Sequence, residues 1–266
     1  MFRNYCSYQN SQGEYLRALR ERPAKESQDV CVVLCHGRSV DKDELGWFLA
    51  LSDWLIQAGY DVFRFDFRGH GQSDGDFFTI DSQKEDIHMT LDYLTHTKKY
   101  QSFVIVAASF SGAATLYAVN QSDKKILWLI LRNGVVDFAY MTNPCTLILK
   151  DKQEQRTKDI NEQWRSHGGR RTKISAECYH QTMTYTPQKE LARLAIPVVM
   201  IHGDADQRVP YEISKKYADL YDHIKLITII WWTHGFISGP PHILQQAVDA
   251  GVQNIKKFMK PPKNYE

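Results

Sequence analysis

The sequence predicts an α/β protein with a mostly parallel central sheet and helices on both faces. Short apolar runs of strand length alternate along the chain with segments of helical periodicity. Several of these runs end directly in polar or glycine-containing loops, as the strands of such a sheet do. The chain has 266 residues, of which 43% are hydrophobic and 24% charged, and this suits one large domain with a single core.

Each predicted element follows from its local pattern. The predicted strands are Tyr15–Pro23, expected at the edge, Val30–Cys35, Val62–Phe65, Phe103–Val106, Ile126–Leu131, Pro197–Ile201 and Leu226–Ile230. The predicted helices are Glu44–Ala58, one marked by Ile87, Leu91 and Leu94, one after Ser109, Tyr211–Tyr221, and a last one from Pro240 to Phe258.

The alternation of strands and helices lapses after Gly134 for about fifty residues. This lapse predicts a cap, residues 135–190, inserted between two parts of the core, residues 1–134 and 191–266. Within the cap the sequence predicts a polar helix around Asp151–Arg165 and a turn at Gly168-Gly169.

Composition excludes several classes of protein. The net charge of +2 gives no general affinity for nucleic acids or membrane surfaces, and apolar runs such as Ile126–Leu131 are too short to span a membrane. The amino terminus has no apolar stretch after Arg3, so it does not resemble a secretory signal, and we expect a cytoplasmic location. Five cysteines, without Cys-x-x-Cys or His-Glu-x-x-His motifs, indicate neither a disulfide framework nor a metal site. No cofactor is predicted, and the sequence does not indicate an oligomeric state.

The stretch Phe103 to Ala114, FVIVAASFSGAA, predicts a strand, a sharp turn and a helix. Small residues surround Ser109, as they must where strand and helix approach closely and a serine hydroxyl is held clear of the sheet. The usual form is G-x-S-x-G, and here it reads A-x-S-x-S. Ser111 also has small residues two positions on either side, but the apolar run stops at Val106, which favours Ser109 as the nucleophile.

A serine nucleophile needs a base and a carboxylate that orients the base. Asp204 and Asp206 follow the predicted strand that ends at Ile201, and His234 follows the strand that ends at Ile230. The order Ser, Asp, His, each after the carboxyl end of a strand, is typical of α/β-hydrolases. Because only a neutral imidazole accepts the serine proton, activity should fall on the acid side of neutrality.

The chain resembles the α/β-hydrolases, and most of all the small bacterial feruloyl and cinnamoyl esterases. The matching stretches are His36-Gly37, Arg64 to Gly75 (RFDFRGHGQSDG), the turn at Ser109, Ile201 to Asp206 (IHGDAD), Val209-Pro210 and His234-Gly235-Phe236. None of these matching stretches lies in the predicted cap. The resemblance implies the fold of that family, Asp206 rather than Asp204 as the acid, and the backbone N–H groups of Arg38 and Phe110 as oxyanion donors. The departures are Ala107 and Ser111 in the turn and Trp231-Trp232 beside the histidine, which could crowd the pocket.

These features lead to the hypothesis of a serine hydrolase that cleaves small carboxylic esters through an acyl-enzyme. A thioesterase, a serine peptidase and a non-catalytic binding protein of the same fold are the alternatives, and an intact triad favours an enzyme. His202, which precedes the loop that carries the acid, is interpreted as a structural residue.

Substrate choice is assigned to the cap, and aromatic rings there would pack an aryl or short acyl group, as the resemblance to feruloyl esterases implies. The candidate rings are Phe138, Tyr140, Trp164, Tyr179 and Tyr185. A basic run, Arg165, Arg170, Arg171 and Lys173, is interpreted as a solvated face, with attraction of an anionic substrate as the alternative.

Overall fold

The computed structural model describes residues 1–24, 30–140, 163–165 and 171–234. The strands in these ranges are β1 (Phe2–Gln9), β2 (Tyr15–Arg22), β3 (Val30–Cys35), β4 (Asp61–Phe65), β5 (Phe77–Phe78), β6 (Ser102–Ala108), β7 (Lys125–Arg132), β8 (Gln163–Arg165), β9 (Arg171–Ile174), β10 (Val198–Gly203) and β11 (Ile224–Ile229). The helices are α1 (Trp47–Gln57), α2 (Ile80–Lys98), α3 (Ser111–Gln121), α4 (Ala176–Thr184), α5 (Pro187–Arg193) and α6 (Tyr211–Leu220).

Eight strands form the central sheet, in the order β1-β2-β4-β3-β6-β7-β10-β11. The first three strands in this order pair antiparallel, and every other neighbouring pair is parallel. The predicted fold class is therefore confirmed. The prediction that Tyr15–Pro23 lies at the edge is wrong, because β1 pairs along the whole of β2.

The core lies on both faces of this sheet because successive strand side chains point to opposite sides. Cys31, Val33 and Cys35 of β3 pack in a cluster with side chains of α2, α3, α5 and α6. The alternate residues Val32 and Leu34 pack with α1 in a second cluster. The covering helices leave the carboxyl ends of the parallel strands together at one edge, where ligands bind in open α/β sheets.

Two helix starts illustrate how local contacts set the element boundaries. Thr79 and Ser82 form a reciprocal capping box that begins α2. The helix predicted from Glu44 begins later, at Trp47, because Glu44–Gly46 forms a short 3-10 turn. Glu44 and Leu45 have positive φ angles of 46° and 57°, a conformation that costs free energy for residues other than glycine.

A small second sheet, in the order β5-β9-β8, lies outside the main one. The predicted helix Asp151–Arg165 is wrong at its end, since Gln163–Arg165 is a strand paired antiparallel with β9. Its earlier residues, the Gly168-Gly169 turn and the predicted helix from Pro240 to Phe258 lie outside the described residues. The cap boundaries at residues 135 and 190 stay a prediction. No helix in the described ranges combines the length and apolar character that a membrane span requires.

Candidate active site

Ser109 occupies a tight turn between β6 and α3. Its φ angle is 53°, in the left-handed region that L-residues adopt only at a cost in free energy. The strained turn is fixed on both sides: the Ser109 N–H donates to the Arg132 carbonyl at 3.0 Å, and the Ser109 carbonyl accepts the Val135 N–H at 2.9 Å. A Cβ on Gly112 would come within 3.0 Å of the Val135 nitrogen, so glycine lets α3 approach this loop. The predicted turn thus holds Ser109 at the carboxyl edge of the sheet.

The structure brings Ser109 together with two of the predicted residues. The Ser109 Oγ lies 2.7 Å from His234 Nε2, and His234 Nδ1 lies 2.7 Å from Asp206 Oδ2. A carboxylate accepts only, so Nδ1 carries the proton and Nε2 is left to accept from the serine hydroxyl. Serine, histidine and carboxylate therefore form one line of hydrogen bonds in the order that general-base activation of a serine requires.

Asp206 is buried at the end of β10 and satisfied on both oxygens. Its Oδ1 accepts the backbone N–H groups of Arg208 and Val209 at 2.9 and 3.0 Å. Burial by itself would raise the pKa of Asp206, but hydrogen bonds from His202 and His234 outweigh it and hold this pKa well below its ordinary value. Asp206 is therefore ionised across the neutral range, as the orienting group of a histidine must be.

The other candidates in the two motifs have structural contacts. The Ser111 hydroxyl is buried and lies 2.9 Å from the carbonyl oxygens of Cys35 and Ala108, so it ties the ends of β3 and β6 together. Asp204 accepts the Trp231 N–H at 2.6 Å.

His202 and the Trp231-Trp232 pair, which the sequence analysis singled out, do not fill the site. His202 is buried and its Nδ1 lies 2.8 Å from the Ser214 hydroxyl, while its Nε2 lies 3.3 Å from Asp206 Oδ2. It therefore has a structural contact and also faces the acid. Trp231 is 86% exposed, so its ring does not crowd the serine, and Trp232 packs against the core cluster of α1.

Both residues predicted to supply oxyanion donors flank Ser109. Phe110 follows it directly at the start of α3. Arg38 follows Gly37, where a Cβ would lie 3.1 Å from the Ser109 Cβ, so glycine lets this loop approach the serine without crowding it. The Arg38 guanidinium carbon lies 5.9 Å from the centre of the Phe110 ring, so the side chains of the two residues also meet.

A buried ion pair supports the Gly37-Arg38 loop, and no local sequence pattern predicts it. The Gly37 N–H donates to Glu44 Oε2 at 2.7 Å, and Glu44 Oε1 lies 3.3 Å from Arg132 Nη1. Both charged side chains are almost fully buried. The positive φ of Glu44 is thus explained by the contact that its carboxylate makes. Asn133 is a further residue that sequence reasoning missed, although it follows a strand at the same edge as the predicted site residues do.

Aromatic side chains pack beside the serine turn. Phe78 and Phe138 pack on Phe110 with ring centres 5.7 and 6.1 Å away, the former edge to face. The surrounding cluster comprises Phe78, Ile80, Phe110, Ala114 and Cys178, with Tyr117, Phe138 and Tyr185 half-buried around it. Two of the predicted cap rings, the half-buried Phe138 and Tyr185, therefore form an aromatic surface over the buried Phe78 and Phe110, and a third, Tyr179, lies half-buried on α4. The structure describes no side chain for Tyr140, Trp164 or the predicted basic run.

The chain matches known proteins at the level of family and fold. The model of the family described as serine aminopeptidase, S33, matches residues 26–235. The bifunctional esterase/perhydrolase DCH of Acinetobacter calcoaceticus is 27% identical over 232 residues, which is 71% of this chain and 83% of that protein. The mitochondrial palmitoyl-protein thioesterase ABHD10 of Bos taurus is 25% identical over 178 residues, and the match spans 55% of its length.

Solved structures share the architecture. Est1E from Butyrivibrio proteoclasticus with ferulic acid bound has a TM-score of 0.71 at 22% identity, with 95% of this chain and 98% of that chain covered. The structure of DcsB in complex with its substrate analogue has a TM-score of 0.73 at 17% identity, with 96% and 99% covered. At these identities the likeness shows the fold.

Proposed function

Because the chain belongs to the hydrolase family described as serine aminopeptidase, S33, we propose that it is a serine hydrolase whose triad is Ser109, His234 and Asp206 and whose substrates are small carboxylic esters. The observation that carries the proposal is the pair of 2.7 Å contacts that link Ser109 through His234 to Asp206. A serine hydroxyl is a poor nucleophile near neutral pH without such partners.

In the proposed mechanism the Ser109 Oγ attacks the ester carbonyl while His234 Nε2 takes the hydroxyl proton. Ionised Asp206 holds the Nδ1–H and stabilises the imidazolium that forms. The N–H groups of Phe110 and Arg38 donate to the developing oxyanion. Collapse of the tetrahedral intermediate expels the alcohol, which takes its proton from His234 and leaves the acyl-enzyme. Water then attacks the acyl group by the same steps in reverse order and frees the acid.

The aromatic surface beside the serine supports aryl or short acyl groups as substrates. Rings bury a large apolar area with few rotamers, and Phe78 and Phe138 already pack against Phe110, the residue next to the nucleophile. Two of the similar proteins, DCH and Est1E, are an esterase/perhydrolase and a protein that binds ferulic acid, which favours esters over peptides. The similarity to a palmitoyl-protein thioesterase makes long-chain thioesters the second candidate.

The triad is tested by labelling with a fluorophosphonate probe and by steady-state hydrolysis of p-nitrophenyl acetate. We expect a covalent adduct on Ser109 by peptide mapping and a loss of about 10⁴-fold in kcat in Ser109→Ala. Ser111→Ala is the matched control, because it removes the neighbouring hydroxyl and should still be labelled. An adduct on Ser111, or turnover that survives in Ser109→Ala, would contradict the assignment.

The substrate class is tested with p-nitrophenyl esters from acetate to palmitate, methyl ferulate and palmitoyl-coenzyme A. We expect the highest kcat/KM on methyl ferulate or the short esters, because the aromatic surface suits compact acyl groups. Fastest turnover on the palmitoyl thioester would replace the ester proposal by the thioesterase. Repeating the panel at two salt concentrations tests the predicted basic run, since attraction of an anionic substrate weakens with ionic strength.

A further inference from the structure

We propose that Asn133 is a positioning residue that joins the acid to the histidine and sets the pH range of activity, an inference that rests on the proposed triad. Asn133 directly follows β7 and is fully buried. Its Nδ2 lies 2.9 Å from Asp206 Oδ2 and 2.9 Å from the His234 backbone carbonyl. An amide NH2 has two hydrogens, and here each one goes to a different member of the triad.

The backbone of Asn133 is anchored to the other parts of the site. Its N–H donates to the Ile201 carbonyl on β10 at 2.9 Å, and the carbonyl of Arg132, the preceding residue, accepts the Ser109 N–H at 3.0 Å. Asn133 has a φ angle of 45°, which asparagine tolerates better than most residues with a Cβ. One residue thus contacts the acid and the histidine and is adjacent to the contact that fixes the serine turn.

The orientation of the amide is determined by its neighbours. If the amide were turned over, Oδ1 would face a carboxylate oxygen and a carbonyl oxygen, two acceptors that repel it. In the observed orientation the Oδ1 is buried and makes no hydrogen bond within the described part of the chain. A buried unsatisfied acceptor destabilises a fold, so the two donations are the property that accounts for an asparagine here.

The donated hydrogen bond has a specific electrostatic effect. Asp206 Oδ2 accepts both from His234 and from Asn133, and each donor takes up part of the carboxylate charge. With Asn133 present less of the carboxylate charge acts on the imidazole, so loss of Asn133 should move the acid limb of the activity profile to higher pH.

Other charged and titratable groups also face the acid. They are His202 at 3.3 Å from Oδ2, and the buried Arg132, whose charge acts on Asp206 and is paired with Glu44. These groups remain in an Asn133 variant, so Asp206 stays ionised and we expect a moderate shift of the pH profile.

The test compares Asn133→Gly with Asn120→Gly. Glycine adopts positive φ without strain, so Asn133→Gly removes the two donors and leaves the backbone conformation in place. Asn120 is an exposed asparagine whose Nδ2 also makes two contacts, to the carbonyl and the carboxylate of Glu190 at 2.8 and 2.9 Å, and it controls for the loss of stability. Both proteins, with wild type and Ser109→Ala, are assayed from pH 5 to 9 on p-nitrophenyl acetate.

For Asn133→Gly we expect kcat to fall about 10- to 100-fold with KM within about twofold of wild type, since Asp206 and the His234 backbone lose the contacts that align them with Ser109. The pH at which kcat/KM falls to half on the acid side should rise by roughly half a unit or more. Asn120→Gly should leave both quantities unchanged. Asn133→Ala also removes both donors, so its half-point should rise as far, and it covers a glycine variant that does not fold.

A pH profile of Asn133→Gly and Asn133→Ala that overlays wild type would overturn the positioning role. An equal loss of kcat in Asn120→Gly would do the same, because the effect would then be one of stability. If Ser109→Ala has no measurable turnover while the Asn133 variants match wild type, only the inference about Asn133 fails. If Ser109→Ala keeps its turnover, the triad itself fails.

Discussion

The buried imidazole of His36 makes the stability of the fold depend on pH. His36 directly follows β3 and is fully buried, with Nδ1 2.7 Å from the Gly37 carbonyl and Nε2 accepting the Phe67 N–H at 3.1 Å. Burial lowers the pKa of His36 to about 4 from 6.5, the charge of Lys42 lowers it further, and the hydrogen bond to the Gly37 carbonyl opposes them in part. The native state therefore holds this imidazole neutral throughout the neutral range.

The size and sign of the effect follow from proton linkage. The unfolded chain binds a proton at this histidine below a pH of about 6.5, whereas the native protein binds it only near pH 4. The free energy of unfolding is unaffected above about pH 7 and falls as the pH drops through this window. A difference of about 2.5 units corresponds to about 3 kcal/mol, a large fraction of the ~5–15 kcal/mol that stabilises a typical domain.

The assay is urea denaturation at pH 7.5, 6, 5 and 4.5 for wild type, His36→Gln and His96→Gln. Glutamine does not titrate, and it retains one donor and one acceptor. His36→Gln is expected to be less stable than wild type at pH 7.5, yet to lose less of its unfolding free energy on acidification, by up to about 3 kcal/mol. His96 is exposed on α2, so His96→Gln is the control. Its free energy of unfolding should fall with pH as that of wild type does, because the carboxylates elsewhere in the fold are the same in all three proteins. Parallel curves for wild type and His36→Gln would refute the reasoning.

Two further predictions concern residues that hold the site together. Ser111→Ala should lower the free energy of unfolding by about 1–3 kcal/mol, measured by urea denaturation, because the Cys35 and Ala108 carbonyls lose a buried partner; an unchanged midpoint would contradict this. Gly203→Ala should reduce kcat by more than about 100-fold, since its Cβ would clash with the Trp232 carbonyl oxygen and would displace the loop that carries His234. Wild-type turnover in Gly203→Ala would show that this loop adapts freely.

The sequence predicted those features that depend on local pattern. Six of the seven predicted strands of the central sheet carry an apolar run, Tyr15–Pro23 being the exception, and the turn at Ser109 combines such a run with small residues. Ser109, Asp206 and His234 could be assembled in advance, because the carboxyl ends of parallel strands meet at one edge whatever the details of packing. Strand ends and chain order left both Asp204 and Asp206 as candidates for the acid, and the resemblance to the esterases favoured Asp206.

The missed features depend on contacts between distant residues. β1 has mostly exposed, polar side chains, and β5 and β8 are two and three residues long, too short to produce a periodic signal. Glu44 reads as the first residue of a helix until its carboxylate is seen to accept the Gly37 N–H. Asn133 meets partners 73 and 101 residues away, which no local pattern contains.

The order of strands across the sheet also decides when the protein can react during its synthesis. Ser109 and His234 are 125 positions apart, and the strands that carry the acid and the histidine join the sheet only beyond β7. When synthesis has reached the end of β7, Ser109 is already part of the chain, whereas the acid and the base have yet to be translated. If Ser109, His234 and Asp206 form the proposed triad, the nascent chain at that stage carries the serine without its base, and the serine can be activated only after β10 has paired with β7 and β11 has paired with β10.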